Sequence, residues 1–223
     1  MKKMSYAKQY IQIAFIFGET TAVFRKTDLA AGFLSAAVLD LCKEGVISMQ
    51  GKGEMVCKES LPDELIFLQS LYEYIKIMPK KRVDALAEAY LRSFSAGRIS
   101  RLAEATADAL SEEGDLIRRS KEGIFKRRVS YQVPPVGAEQ LMSQLKTDLQ
   151  KAESMEHMVF AGLLDKSRLL KRIVDRKELK VVRRMVKQAE CGEMKEVYKA
   201  MKEPVDAIAA SAAVIAATTI ITS

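Results

Sequence analysis

The sequence contains no tryptophan, a single histidine (His157), three cysteines and five prolines among its 223 residues. With one histidine, a zinc site or an acid–base active site lacks its most common side chain. Cys42, Cys57 and Cys191 form no Cys-x-x-Cys pair, which argues against a disulfide framework and against a structural zinc site. We therefore expect a cytoplasmic protein that holds no metal and no cofactor.

Motifs for catalysis and phosphate binding are also missing. The sequence has no His-Glu-x-x-His, no Walker-type glycine loop and no Gly-x-Gly-x-x-Gly, and Gly51-Lys52-Gly53 is typical of a hairpin turn. His157 follows Glu156 in an apolar segment, which favours a packed histidine over a general base. Because no nucleophile, base and orienting group occur together, the sequence predicts a protein that is not an enzyme and has no small-molecule substrate.

Charge and composition indicate a folded chain with an anionic partner. The sequence is 48% apolar and 29% charged, and its 36 Lys and Arg against 29 Asp and Glu give a net charge of +7. Nucleic acid, a membrane surface or an acidic protein would each match this charge. No Ser-, Gly- or Pro-rich linker divides the chain, so we expect a single domain over residues 1–223.

Long hydrophobic runs are scarce. Residues 1–8 include two lysines but lead into no apolar core with a cleavage site, so no signal peptide is expected. The uncharged run 207–221 is rich in Ala and Thr. It is shorter than the roughly 20 residues that span a bilayer, which favours a buried core helix.

Apolar residues at helical spacing predict helices over most of the chain. The predicted helices cover 27–44, a segment opened by Pro62 and ended by Pro79, 82–94, 99–113, 137–152, 156–164, 166–173, 178–190, a short piece at 194–201, and the Ala-rich end from Val205.

A helix that ends in Glu-Gly and leads into β-favouring residues occurs twice. Glu44-Gly45 precedes 46–57, and Glu113-Gly114 precedes 116–131, which Pro134 and Pro135 close. The predicted fold is therefore mainly α, a compact multi-helix domain with two short β-hairpins in winged-helix-like helix–wing repeats.

The second hairpin carries the densest cluster of charge in strand-type sequence, with two apolar residues at its tip. Near an anionic membrane each cation contributes about 1 kcal/mol, and exposed Ile and Phe enter the acyl boundary. The same hairpin could lie along DNA phosphates, or be a solvated hairpin whose Phe125 packs on the core. The residues concerned are Arg118, Arg119, Lys121, Ile124, Phe125, Lys126, Arg127 and Arg128.

A second basic stretch lies in the last third of the chain, where apolar residues interleave with cations at helical spacing. Such amphipathic helices with a basic face are more often plain surface than a binding site. Its cations are Lys166, Arg168, Lys171, Arg172, Arg176, Lys177, Lys180, Arg183, Arg184 and Lys187.

In their order along the chain, these segments resemble the Golgi phosphoprotein 3 family over about residues 6–221. LDLCKEGVI at 39–47 is similar to that family's ELALRGRI, LSEEGDL at 110–116 to its LVERGIL, and MVFAGLL at 158–164 to its ALLALLHA. The segment 206–217 is similar to its closing WAVVAAF helix. The resemblance implies one mainly α-helical domain, no catalysis and peripheral membrane association. In eukaryotic members it also implies phosphatidylinositol 4-phosphate binding and self-association through the hairpin, here 116–131.

The eukaryotic members bind the headgroup with a tryptophan and three arginines. This chain lacks tryptophan, and Leu34, Ser100 and Ala103 fall at the arginine positions. Arg98 and Arg101 keep the three-residue spacing about half a turn out of register, so we expect them to bind lipid together with the hairpin residues. Nucleic acid is the expected partner only if the winged-helix interpretation is right, and a protein-interaction adaptor is the other alternative.

Overall fold

Helices make up most of the computed structural model, which describes residues 4–18, 27–50, 53–58, 60–92, 96–121, 128–151, 154–191 and 195–221. The α-helices are α1 Tyr6–Ile16, α2 Thr27–Lys43, α3 Gln69–Ile77, α4 Val83–Leu91, α5 Ala96–Glu112, α6 Pro135–Lys151, α7 Met155–Lys166, α8 Leu170–Ile173, α9 Arg176–Cys191 and α10 Lys195–Ile221. A 3-10 helix, Asp63–Leu68, precedes α3. Two antiparallel hairpins pair β1 Ile47–Gln50 with β2 Glu54–Cys57 and β3 Ile117–Lys121 with β4 Arg128–Gln132. The mainly α prediction with two hairpins is confirmed.

Helix α2 forms the centre of the fold. Every residue from 29 to 41 is buried, so the helix is covered on all sides, as expected for the middle of a bundle. Helices α1, α4, α5, α7 and α10 all pack against it. Its small side chains, such as Ala36 and Ala37, allow this close approach.

Asp40 joins α2 to the first turn of α1. Its two carboxylate oxygens accept hydrogen bonds from the backbone N–H groups of Tyr6 and Ala7, each at 2.8 Å. These N–H groups have no partner within α1, so Asp40 completes the start of that helix. Burial raises the pKa of Asp40 to about 6, although the two N–H donors act to lower it.

The two predicted Glu-Gly helix ends are confirmed. Gly45 and Gly114 adopt φ values of 71° and 84°, a left-handed conformation that suits glycine. At the second end, the N–H of Gly114 donates to Ser111 and the N–H of Asp115 donates to Leu110. Each helix therefore ends where its glycine turns the chain toward a strand.

The predicted helix 166–173 has the correct end but begins too early. Lys166 is the last residue of α7, and α8 covers only Leu170–Ile173. Between them Arg168 adopts the left-handed conformation, with φ 62°, and its N–H donates to Asp165 at 3.0 Å. This ends α7 in the manner of a glycine cap, but with a residue that gives no such signal in the sequence.

The predicted separation of 194–201 from a helix beginning at Val205 is also wrong. Helix α10 continues through Pro204 from Lys195 to Ile221. Proline in a helix removes one backbone hydrogen bond. Pro204 and Val205 are buried, and α10 packs on α2 and α4, so tertiary packing outweighs that loss.

The apolar run 207–221 lies in α10. Ile208 and Ala212 are buried on the side of the helix that enters the core, whereas Val214 is 65% exposed. No described helix is long and apolar enough to cross a bilayer.

Candidate functional site

The hairpin β3–β4 is held at both ends by buried side chains. Leu116 just before β3 and Val133 just after β4 are 3% and 8% exposed. The antiparallel register pairs Arg118 with Tyr131 and, at the far end, Lys121 with Arg128. The hairpin therefore starts and ends in the core.

Asp108 of α5 contacts both strands. Its Oδ1 lies 3.0 Å from Arg118 Nε and accepts a hydrogen bond from the Tyr131 hydroxyl at 2.8 Å. Because Arg118 and Tyr131 are cross-strand partners, one carboxylate fixes the hairpin to the helix. Burial, followed by the neighbouring Asp108, raises the pKa of Tyr131 to about 12, so the phenol remains protonated and donates at neutral pH.

One side of the hairpin faces α1. The Tyr131 ring stacks on Phe15 with a centroid distance of 5.9 Å and an interplanar angle of 6°. Cross-strand partners share a side of the sheet, so this stacking places Arg118 and Tyr131 on the side toward the body.

The other side faces solvent. Ile117 is 44% exposed, and Arg119, Ser130 and Gln132 are exposed as well. Within the described part of the chain, Arg119 has no carboxylate within 4 Å, in contrast to Arg118.

Part of the predicted hairpin site falls outside the described part of the chain. Ile124, Phe125, Lys126 and Arg127 lie outside the described residues, as do the side chains of Lys121 and Arg128.

Arg98 and Arg101 lie at the start of α5, away from the hairpin. Arg98 stacks over the Tyr74 ring at 4.6 Å, and its Nη1 donates to the Ala89 carbonyl at 3.3 Å. Arg101 Nε donates to the Gly97 carbonyl at 3.1 Å. About 16 Å of helix separates Arg101 from the end of α5, so the structure does not bring the two arginines and the hairpin together.

Two of the three positions at which the family resemblance would place a headgroup-binding arginine are core positions here. Leu34 and Ala103 are completely buried, and Ser100 is half-buried. The side chains at positions 34 and 103 are therefore out of reach of a lipid headgroup at the surface.

A polar cleft of about 570 Å³ lies where α1, α2 and the end of α5 meet. The mostly buried Lys8 donates to Glu113 Oε1 at 2.6 Å, and its ammonium lies 4.7 Å from the Phe67 ring centroid. Asp40 also lines the cleft, but the backbone of α1 occupies both of its oxygens. These contacts join helices, and no group of three or more potential metal ligands forms among the residues described.

His157 and Cys42 occupy packed positions, as the sequence suggested. His157 lies on α7 edge-on to the Tyr6 ring, with 6.5 Å between the ring centroids. Burial raises the pKa of the Cys42 thiol to about 12, so it stays a thiol at neutral pH.

Together these features define a mainly α-helical protein that presents a basic two-stranded hairpin fixed by Asp108. The chain belongs to the family described as Golgi phosphoprotein 3 (GPP34), whose family model matches residues 18–208. This confirms the resemblance found in the sequence. Among curated proteins, none matches the chain. Helix α1 lies before the matched range, although it packs on α2.

Sequence reasoning missed Asp108 as part of the site. It lies in the segment recognised as a helix end, but its role depends on the register that sets Arg118 opposite Tyr131. A carboxylate near the end of a helix that leads into a basic hairpin was the available signal.

Proposed function

We propose that this protein is a single-domain, non-enzymatic peripheral membrane protein that binds anionic phospholipid headgroups through the hairpin 116–131. Family membership supports a lipid-related role. The observation that carries the proposal is the two-sided hairpin, in which Asp108 and Phe15 hold one side and the other exposes Arg119.

The mechanism combines electrostatic attraction with shallow insertion. Each cation near an anionic surface adds about 1 kcal/mol of binding free energy, and Ile124 and Phe125 would enter the acyl boundary. Strands β3 and β4 are already fixed to α5 and lose little conformational freedom on binding. Arg118 acts mainly as a positioning residue, because its guanidinium already contacts Asp108.

Recognition is proposed to depend on negative charge rather than on one phosphoinositide. The buried Leu34 and Ala103 stand where the eukaryotic relatives have arginines, and Arg98 is stacked on Tyr74. A role for Arg98 and Arg101 in lipid binding would need a contact separate from that of the hairpin.

Vesicle flotation at physiological salt tests the proposal. Neutral vesicles, vesicles with phosphatidylglycerol and vesicles with phosphatidylinositol 4-phosphate would be compared, with a short DNA duplex as competitor. We expect flotation with both anionic vesicles. Flotation with the phosphoinositide vesicles but not with the phosphatidylglycerol vesicles would overturn charge-based recognition. The next residues to test would then be Arg98 and Arg101.

Replacing the tip separates membrane insertion from simple charge attraction. The double change Ile124→Ser and Phe125→Ser should abolish flotation and leave DNA binding intact. Neutralising Arg127 and Arg128 should weaken both. If the serine variant floats as well as the parent, the insertion mechanism is wrong.

A nucleic-acid-binding function is the second candidate. The structure contains two hairpins, and each follows a helix ended by glycine, in line with a winged-helix arrangement. Binding of the DNA duplex without any flotation would favour this function. Self-association through the hairpin is a separate proposal, and light scattering with and without vesicles would test it.

A further inference from the structure

Helix α9 carries its cations on one side. At about 100° per residue, six Lys and Arg of α9 fall within an arc of about 120° that contains no carboxylate. All six are exposed: Arg176, Lys177, Lys180, Arg183, Arg184 and Lys187.

Five of these six cations lack a carboxylate partner in the described part of the chain. Arg183 forms a two-point contact with Asp165, with both N···O distances at 2.8 Å. No described carboxylate lies within 4 Å of the others, which we call the basic stripe: Arg176, Lys177, Lys180, Arg184 and Lys187. The stripe extends about 16 Å along the helix. An external anion would relieve the repulsion between its positive charges.

An apolar cavity adjoins one edge of the basic stripe. It has a volume of about 230 Å³ and lies between α6 and α9. Its apolar lining consists of Leu149, Val174, Val181 and Val182, and Val181 is 49% exposed. Lys146 and Lys177 also line the cavity, so cations and apolar surface meet there.

The one carboxylate in the cavity lining is engaged elsewhere. Glu178 Oε2 accepts the backbone N–H of Asp175 at 2.9 Å, while Asp175 Oδ1 accepts the N–H groups of Lys177 and Glu178. This reciprocal arrangement caps the start of α9. Glu178 is thus held at the helix end by the backbone.

We propose that the basic stripe and this cavity form a second binding site for anionic phospholipid in a bilayer. Lys146 and Lys177 would bind the headgroup phosphate, and the first part of an acyl chain would contact Leu149, Val174 and Val181. A nucleic acid would match the stripe but has no flexible apolar group for the cavity, whereas a phospholipid supplies both.

The second site rests on the proposed function but is separate from the hairpin. Helix α6 begins at Pro135, three residues after β4, and reaches the cavity at Leu149. These two residues of α6 are about 21 Å apart along the helix axis. Two contacts at this separation would bind one membrane more tightly than either contact alone.

Flotation with phosphatidylglycerol vesicles tests the stripe. The triple variant Lys177→Gln, Lys180→Gln and Arg184→Gln should lower the partition coefficient about 100-fold, at roughly fivefold for each cation. The matched control Lys58→Gln, Lys80→Gln and Lys81→Gln removes three exposed lysines elsewhere and should change it by about twofold or less. If the triple variant floats as well as the parent, the second site is overturned.

The cavity is tested by Val181→Ser, with Ile77→Ser as the control for loss of an exposed apolar side chain. We expect the Val181 variant to float about fivefold less and to bind DNA unchanged, since only a lipid uses the cavity. Unchanged flotation of this variant would overturn the acyl-chain contact.

Calorimetry with soluble dihexanoylphosphatidylglycerol separates failure of the second site from failure of the hairpin function. If the parent does not float, the proposed function of the hairpin fails. The second site is still supported if the parent binds the soluble lipid and the Val181 variant does not. If the parent floats and neither the triple variant nor the Val181 variant differs from it, only the second site fails.

Discussion

The ring of Tyr10 on α1 lies against the backbone of Gly32 on α2. A Cβ at Gly32 would lie 2.7 Å from Tyr10 Cζ and closer still to the hydroxyl oxygen. Gly32→Ala should therefore lower the free energy of unfolding by about 1–3 kcal/mol through overpacking. Urea denaturation measures this change.

The matched control is Gly97→Ala in α5. Apart from its chain neighbours and the backbone of its own helix, no described atom lies within 4 Å of a Cβ at that position, so alanine should raise the free energy of unfolding by about 0.5–1 kcal/mol through helix propensity. Tyr10→Leu should partly restore the stability of Gly32→Ala. Equal effects of the two glycine changes would contradict the close contact.

Asp40 makes stability depend on pH in a definite direction. Its pKa is raised in the folded protein from 3.8 to about 6, so the folded state binds the proton more readily than the unfolded state. The contribution of protonated Asp40 to the free energy of unfolding is therefore present at low pH and is lost as pH rises through about 6. On acidification from about pH 8 to about pH 5, the free energy of unfolding of the parent should rise by roughly 1 kcal/mol relative to that of Asp40→Asn, which does not titrate at this position.

Urea denaturation of both proteins at the two pH values checks this prediction. The comparison with Asp40→Asn cancels the other groups that titrate in this range. If acidification instead stabilises the asparagine variant relative to the parent, the two N–H donors rather than burial dominate the pKa of Asp40.

Removing the hydrogen bond between Tyr131 and Asp108 should loosen the hairpin without unfolding the helices. Tyr131→Phe deletes the hydroxyl that donates to Asp108, at an expected loss of about 1 kcal/mol. Amide hydrogen exchange in β4 should become faster while exchange in α2 stays constant. Arg119→Gln is the control, and the prediction fails if it accelerates β4 exchange as much as Tyr131→Phe does.

Arg168 offers a stabilising change. A non-glycine residue at φ 62° is about 1–2 kcal/mol less favourable than in right-handed helix geometry, whereas glycine adopts this conformation freely. Arg168→Gly should raise the free energy of unfolding by about 1 kcal/mol. Arg168→Ala removes the same charge but keeps the unfavourable conformation, so a similar gain for alanine would show that charge is responsible.

The helix ends show how far the sequence determines the fold. Glu44-Gly45 and Glu113-Gly114 were predicted because a left-handed residue is nearly always glycine there. Arg168 adopts the same conformation without that signal, so the sequence placed the start of the next helix at 166 instead of Leu170. The opposite error occurs between 201 and 205, where the sequence predicted a break but packing on α2 and α4 keeps α10 continuous through Pro204.

The candidate site likewise contains residues that the local sequence predicts and residues that only the fold reveals. The basic hairpin was evident from local composition, because charge and strand propensity are properties of neighbouring residues. Asp108 was not, because its contact with Arg118 and Tyr131 depends on strand register and on where α5 lies. Arg98 and Arg101 have the spacing of the arginine pair that the family resemblance implies. Spacing along a helix, however, does not determine how far two residues lie from the hairpin.

The clamp between Asp40 and α1 limits how the protein can be shortened. A fragment that began at residue 18, where the family match begins, would retain Asp40 without the two amide donors of Tyr6 and Ala7. A hydrogen bond to a charged group contributes about 1.5–3 kcal/mol to stability, and the fragment would lose two of them. The apolar surface that α1 covers on α2 would meet water at the same time. We therefore expect a fragment that begins at residue 18 to unfold more readily than a chain that keeps α1.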